Sequence, residues 1–374
     1  MGVVIVGAGQ GGFQLAWSLR TEGYGESITL IGEERFLPYQ RPPLSKAYLL
    51  GKQDLEAVTL RPEKFYCDQR IDLLVGQRVA SIDRASRRVA LATGGHVPYD
   101  RLVLATGARV RRLPDPGILY LRGRDDAAEL KDRLDRAGSV LAIGGGFIGL
   151  EVAAAARGLG KEVMVVEAES RLMQRCVAPV VSEFFRDLHE SHGVRIRFGS
   201  TERPSGADVV VAGVGVIPNV ELARDAGLPV GNGILVDDHL RTADENIYAI
   251  GDCAAHAQRG RLESVQNAVD QARCAAANIV GKNEPYRAVP WFWSDQFDAK
   301  LQMAGLSGGA DRMVMRGAAP KFSVFYYRAG RLIAVDSVGR PADHMIARKL
   351  LASGCEVTPE QAVDESFALA PLVH

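Results

Sequence analysis

The chain has 374 residues, 47% hydrophobic and 24% charged, a length that calls for two or three domains rather than one core. Lys and Arg together number 45, as do Asp and Glu, and this zero balance argues against a general nucleic-acid binder or an acidic-membrane binder. Five cysteines (Cys67, Cys176, Cys253, Cys274, Cys355) without a CxxC spacing argue against a disulfide framework, a zinc ribbon or an iron–sulfur cradle, so no metal site is expected. His189 and His192 fall on one helix face, and a solvated pair is expected there. VVIVG begins at residue 3, leaving no room for a targeting segment, and no window of about 18 residues is apolar enough to span a bilayer. A cytoplasmic location is the expectation.

The first element in chain order is VVIVGAGQGGFQLAWSLRTEGYGESITLIGEE. An apolar strand ends in Gly7, Gly9 and Gly12 at GxGxxG spacing, helix-like periodicity follows, and a second strand ends at Glu33, 21 residues after Gly12. Gly7 permits the tight turn, Gly9 lets the backbone approach a pyrophosphate, and Gly12 lets helix and strand pack closely. The helix N-terminus favours the anionic phosphates, and Glu33 is placed to bond a ribose. PYQRPPLSKAYL (38–49) comes next, with two prolines, a serine and a lysine but no cysteine. Cys67, the first cysteine, reads as a packing residue after a helix-like stretch. RLVLATGAR (101–109) is an apolar strand ending in Ala105-Thr106-Gly107.

The crossover pattern then repeats as SVLAIGGGFIGLEVAAAARGLGKEVMVVEAESR, with Gly144, Gly146 and Gly149 in the fingerprint and Glu167 18 residues further on. Two crossovers imply two dinucleotides with electrons passing between them. A carboxylate at Glu167 accepts from a ribose 2′-OH and repels a 2′-phosphate, which favours NADH over NADPH; Arg171 nearby would partly offset this. AGVGVIPN (212–219) supplies Gly215 at the binding end of the second domain. HLRTADENIYAIGDCA (239–254) is a strand ending at Gly251-Asp252, followed by a helix-like stretch through Ala277. Alone, Asp252 would read equally well as a turn residue. From residue 286 on, FSVFYYRAGRLIAVDSV (322–338) reads as a β-hairpin, and ADHMIARKLLASG as a helix closed by glycine.

These motifs together resemble the FAD-dependent pyridine-nucleotide oxidoreductases of the glutathione-reductase structural class. PPLSK, GGGFIGLEVA, AGVGVIPN, AIGDCA, ESVQNAVDQA (263–272) and PWFWSDQ (290–296) are similar to one branch of that class. That branch is the NADH-dependent ferredoxin reductases that serve aromatic-ring dioxygenases and bacterial haem-thiolate monooxygenases. The resemblance implies an α/β fold with two Rossmann-like dinucleotide-binding domains, the FAD domain (1–108 and 234–285) interrupted by the NAD domain (109–233). A C-terminal α+β domain (286–374) follows.

The resemblance also places FAD contacts at Gly11, Glu33, Lys46, Val79, Arg122, Asp252 and Val265. It pairs Lys46 with Glu151 near the flavin, where the lysine would stabilise developing negative charge, and it puts Trp293 near the flavin and the ferredoxin-facing surface. A plain surface lysine and a helix-start acid are the alternatives for that pair. Relatives that reduce disulfides carry a cysteine soon after the Glu33 position, and its absence here points the electrons outward to a 2Fe-2S ferredoxin. Arg61 and Arg273 match basic docking positions; Arg109, Arg111 and Arg112 are looser candidates, and a solvated charged surface explains them as well. A monomer or weak dimer is expected.

Two other readings remain open. One is an NADH oxidase or disulfide reductase with a displaced cysteine such as Cys253. The other is a redox-sensing protein resembling apoptosis-inducing flavoproteins. Segments 197–209 and 252–263 look short for the ferredoxin-reductase branch, so the NAD domain is expected to be trimmed while keeping its binding end.

Overall fold

The computed structural model describes residues 2–202 and 204–373. Contacts gather the chain into two compact units. The first comprises Met1–Gln40, Glu56–Arg109 and Val216–Ala288; the second comprises Arg41–Leu55, Val110–Gly215 and Val289–His374.

In the first unit the runs VVIV, ITLI and RLVL are apolar apart from Thr29 and Arg101 and are largely buried. They form the middle of a five-stranded parallel sheet in the order Ile247–Ala249, Arg101–Leu104, Val3–Val6, Ile28–Ile31, Ile71–Leu74. Val3 sits opposite Ile28 on one side and Arg101 on the other, so the strand that leads into the glycine turn and the one that leads into the Ala-Thr-Gly turn end at the same edge of the sheet. Helix Gln10–Thr21 leaves that edge, buries Phe13, Leu15, Ala16 and Leu19, and packs against helix Val265–Ile279. Leu15 and Leu19 are fully buried, worth about 1.5–3 kcal/mol each. The partner helix presents Ala268, Ala272, Ala275 and Ala276, whose small side chains bring the two axes close.

Past Gly251 the chain departs from the helix read in the sequence. Gly251, at φ +74°, opens a short 3-10 turn, and Ala254–His256 forms a strand parallel to Gly233–Val236 before the helix starts at Val265. Pairing with that strand overrides the helical preference of the alanines.

In the second unit a four-stranded parallel sheet runs Val194–Arg197, Glu162–Val166, Ser139–Ile143, Val209–Ala212. Helix Phe147–Gly158 follows the glycine turn and is buried along most of its length. The segment PPLS folds as a 3-10 helix, Pro42–Ser45, its prolines preset for the first positions, and packs on helices Arg124–Arg136 and Phe147–Gly158.

The C-terminal residues of this unit form a five-stranded antiparallel sheet in the order Trp291–Gln296, Ala299–Gly305, Arg331–Val338, Lys321–Arg328, Arg312–Ala318. Lys321–Arg328 and Arg331–Val338 are the hairpin expected around Arg-Ala-Gly. Helix Pro341–Ser353 packs on the sheet and ends at Gly354, whose φ of +68° suits the missing Cβ. Trp291–Gln296 also packs against Phe147–Gly158, which brings the FWSDQ motif onto the second crossover helix.

Candidate active site

The two glycine turns repeat one geometry. Gly7 and Gly144 take φ of +114° and +99°, and a Cβ on either would lie 2.1 Å from the Ala105 carbonyl oxygen or 2.6 Å from that of Gly213. A Cβ on Gly12 or Gly149 would lie 1.9 or 2.0 Å from the oxygen of the first glycine. Packing therefore demands glycine at the outer positions. At the middle positions it does not: a Cβ on Gly9 meets nothing within 4 Å, and one on Gly146 meets only the Gly213 oxygen, at 3.9 Å.

Both middle glycines sit at helix N-caps with no side-chain cap and no acid in the first turn, leaving the initial N–H groups for an anion. Backbone left bare where the protein needs no bareness fits a dinucleotide pyrophosphate at each turn. Gly11 is buried, and a Cβ there would meet Ile250 and Ala268 at ordinary contact distance.

Around the first turn, Glu33 is exposed just past Ile28–Ile31, with Arg78 Nε at 3.9 Å, and Val79 is buried at the start of Val79–Asp83. The Ala105-Thr106-Gly107 turn is clamped by Asn219. Thr106 Oγ1 donates to its carbonyl at 2.7 Å, its Nδ2 donates to the Thr106 carbonyl at 2.8 Å, and its backbone N–H donates to Gly107 O at 2.9 Å. Asn219 closes AGVGVIPN, and its role was not read from the sequence. Asp252 lies in the 3-10 turn Gly251–Cys253, where Gly251 N–H donates to Gln271 Oε1 at 2.7 Å. Val265 opens its helix under a Ser264 cap.

Around the second turn, the Glu167 carboxylate accepts from Gly145 N at 2.6 Å and from Glu169 N at 2.8 Å. Arg171, expected to soften the repulsion of a 2′-phosphate, points inward instead. Its guanidinium donates to Val177 O, Ser182 Oγ and Gln174 O at 2.7–2.8 Å. Gly215 has φ +94° with open space around it, and its carbonyl accepts from Arg111 N at 3.0 Å. Arg41 donates to the Arg122 carbonyl at 2.6 Å.

Lys46 follows the Pro42–Ser45 turn, and its Nζ stands 3.2 Å from Glu151 Oε1 and 3.6 Å from Asp295 Oδ2. The ammonium lies 5.6 Å from the Trp293 ring centroid. The Glu151 side chain is only 4% exposed, yet both oxygens are engaged: Ser294 Oγ donates to Oε1 at 2.6 Å and Ser45 Oγ to Oε2 at 2.5 Å. Burial pushes this carboxyl above its ordinary 4.5, while Lys46 and the two serines pull the other way. The structure thus brings together Lys46, Glu151 and Trp293, and adds Ser45, Ser294 and Asp295. The FWSDQ motif held the signal for two of these, since strand alternation puts Ser294 and Asp295 on opposite faces.

Two expectations are corrected. His189 is not solvated; it is fully buried with Nε2 2.9 Å from Gln296 Oε1, and only His192 reaches the surface, stacked on Phe297 at 3.9 Å. Helix Pro179–Ser191 turns His189 inward and ends before His192, which splits the pair. Cys67 is exposed on helix Glu63–Asp68 rather than packed, because Tyr66 occupies the inward position. Cys253 is buried, its thiol pushed up by burial, which argues against a displaced redox thiolate. Among the described residues no group of three or more His, Cys, Asp and Glu is placed to hold a metal ion.

The docking candidates differ in availability. Arg61 is laid over Trp17 and Phe65 at 4.9 and 5.7 Å, Arg109 is paired with Glu221 at 2.8 Å, and Arg112 lies over Tyr120 at 5.1 Å. Arg273 is exposed, with Asp270 no nearer than 3.8 Å.

Two crossovers with bare phosphate turns, and a lysine paired with a buried carboxylate, define a dinucleotide oxidoreductase without a redox thiol beside its lysine. The chain belongs to the pyridine nucleotide-disulphide oxidoreductase family, whose pattern matches residues 1–272, with a reductase C-terminal pattern over residues 291–373. Members of this family use FAD and NAD(H). It is similar to rhodocoxin reductase of Rhodococcus erythropolis, 50% identical over 399 aligned positions that cover 99% of this chain and 93% of that one. That alignment is longer than the 374 residues here, so the relative carries stretches with no counterpart in this chain.

Among solved structures, the ferredoxin reductase for the CYP199A2 system from Rhodopseudomonas palustris is 48% identical. It superposes with a TM-score of 0.96 over 100% of this chain and 99% of that one. Putidaredoxin reductase in its covalent complex with putidaredoxin is 41% identical, with a TM-score of 0.95 over 99% and 97% of the two chains. Among the described residues no helix is long and apolar enough to cross a membrane.

Proposed function

We propose that the chain is an NADH:ferredoxin oxidoreductase that feeds an oxygenase through a 2Fe-2S ferredoxin. The observation that carries this reading is Lys46. A chain 41% identical over nearly its whole length to a reductase joined to its ferredoxin has, after the first crossover, a paired lysine where a thiol exit would need cysteine. FAD, when bound, supplies the conversion of a two-electron donation into single-electron steps.

The residues assigned to FAD are Gly7, Gly9, Gly11, Gly12, Glu33, Val79, Ala105, Thr106, Gly107, Asp252 and Val265, with Lys46 and Arg122 from the family pattern. Gly9 leaves room for the pyrophosphate, and Asn219 fixes the Thr106 turn that lines its edge of the sheet. NADH is assigned Gly144, Gly146, Gly149, Glu167 and Gly215. Glu167 keeps lone pairs beyond its two backbone bonds for a ribose hydroxyl, and Arg171, committed inward, is not available to a 2′-phosphate. Lys46 holds a positive charge in a water-poor setting, where it lowers the cost of negative charge gained beside it. Glu151 keeps that ammonium in place, and Trp293 covers it. Arg61, Arg273 and Trp293 are assigned to ferredoxin, and the enzyme works as a monomer or weak dimer in the cytoplasm.

The test is NADH-driven cytochrome c reduction by the FAD-loaded protein, with and without each 2Fe-2S ferredoxin of the host. Strong stimulation by one of them is expected; turnover indifferent to all of them would overturn the assignment.

A further inference from the structure

The hydrogen bonds to Glu151 continue beyond Ser294. Ser294 and Gln296 share the buried face of strand Trp291–Gln296, both fully inaccessible, while Trp293 and Asp295 alternate to the other face. Gln296 Nε2 lies 3.2 Å from Ser294 Oγ and 4.0 Å from Met173 Sδ; its Oε1 lies 2.9 Å from His189 Nε2. The thioether beside Nε2 accepts weakly and donates nothing, which fixes the amide with its hydrogens toward Ser294. Gln296 Oε1 then needs a donor, so His189 carries its hydrogen on Nε2. Its Nδ1 is buried with no partner among the described residues.

Every hydrogen in this chain therefore points one way: His189 Nε2–H to Gln296, Gln296 Nε2–H to Ser294, Ser294 O–H to Glu151 Oε1. A proton on Oε1 would turn Ser294 into an acceptor, and its own hydrogen would face only the donor Nε2. Ser45 lacks this selectivity, because the Pro42 carbonyl at 3.4 Å offers its hydroxyl another acceptor. Gln296 cannot hand a proton onward, so the chain polarises and does not conduct. Three aligned donors stand in for the water that burial removes from the carboxylate.

We propose that Ser294, Gln296 and His189 form a directional relay that positions Glu151 as a carboxylate against Lys46. They are thus positioning residues for acceptance of electrons from NADH. The proposal rests on the flavoenzyme reading above. Burial drives the Glu151 carboxyl up and Ser294 opposes it, while burial pushes His189 down to about 4, so its ring stays neutral and its Nε2 hydrogen stays aimed at Gln296. Other titratable groups near the relay include His192, which acts on His189 from the end of the same helix, Lys46, Asp295 on Lys46, and Lys300, which pairs with Asp295 at 3.4 Å.

The experiment compares Ser294→Ala, Ser294→Thr and Gln296→Leu in the FAD-loaded protein by infrared titration of the buried carboxyl, with Glu151→Gln to assign the band. Beyond the band of the buried Asp336 acid, which every variant shares, a second protonated-acid band at neutral pH is expected in Ser294→Ala, absent from the native protein and lost in Ser294→Ala/Glu151→Gln. Anaerobic flavin reduction by NADH should slow about tenfold in Ser294→Ala and less in Gln296→Leu, since a hydrogen bond to a charged group is the one lost in the first. Ser294→Thr keeps the hydroxyl and should restore both readouts. If it behaves as Ser294→Ala does, the loss is one of packing and the relay is overturned. A folded Ser294→Ala protein with no acid band that depends on Glu151 overturns it equally. The infrared band needs neither NADH nor ferredoxin, so failure of the functional reading would show in the cytochrome c assay and leave this result distinct.

Discussion

Gly9 and Gly146 lack a Cβ although almost nothing in the protein would touch one, whereas Gly12 and Gly149 lack it because a carbonyl stands within about 2.0 Å. That contrast separates stability from ligand binding at single residues. Gly9→Ala should cost at most about 1 kcal/mol of stability, the N-cap preference for glycine over alanine, yet abolish or greatly weaken FAD retention. Gly146→Ala should keep FAD and raise the dissociation constant for NADH. Gly12→Ala should fail to fold, its Cβ colliding with backbone. Chemical unfolding and flavin content measure the first and last, and NADH titration the second; a Gly9→Ala protein that keeps its FAD would break the assignment.

At this scale the sequence revealed the residues fixed by local spacing, the glycines and the trailing acids. Lys46 and Glu151 were legible through the family motif. Ser45 and Ser294 were not, because their bonds to Glu151 join positions 106 and 143 residues apart and depend on which strand face turns inward.

Among the elements, the C-terminal sheet carries a titration of its own. Asp336 is fully buried on Arg331–Val338; Tyr326 donates its hydroxyl to it and accepts from Ala178 N at 2.8 Å. Burial raises the Asp336 carboxyl from 3.8 to about 7. The folded state then holds a proton that the unfolded chain has released, so this group makes stability fall as pH rises from about 3.8 to about 7, then stay level. His189 and His344, pushed down to about 4 by burial, act with the opposite sign and cost stability as pH falls from 6.5 toward 4. Asp336→Asn isolates the first effect: relative to the native protein it should gain stability between pH 4 and pH 8, by a few kcal/mol at most. Urea midpoints of both proteins at the two pH values measure it, and a difference that does not change with pH would refute the buried acid. The hairpin and the helix ending at Gly354 were readable because their signals are local. The inward turn of His189 was not, since it follows from packing against Gln296, 107 residues away.

The whole chain was legible as two crossovers and a tail because the first strand of each crossover is an apolar run closed by a glycine turn. What the runs did not reveal is the grouping, with the tail and the second crossover in one compact unit. Association with a partner is the property that belongs to the whole molecule. Its net charge of zero provides no long-range attraction by itself, so steering of a partner that carries negative charge at its docking face depends on local cations that are not already neutralised. Arg109 is tied to Glu221 and Arg61 is held against two rings, but Arg273 is 62% exposed and only loosely paired. Arg273→Glu should therefore slow ferredoxin reduction about tenfold at low ionic strength while leaving flavin reduction by NADH unchanged. The deficit should shrink at about 0.5 M salt, where screening acts within a few ångströms. Stopped-flow rates at the two salt concentrations measure it, and equal rates for variant and native protein at low salt would remove Arg273 from the docking surface.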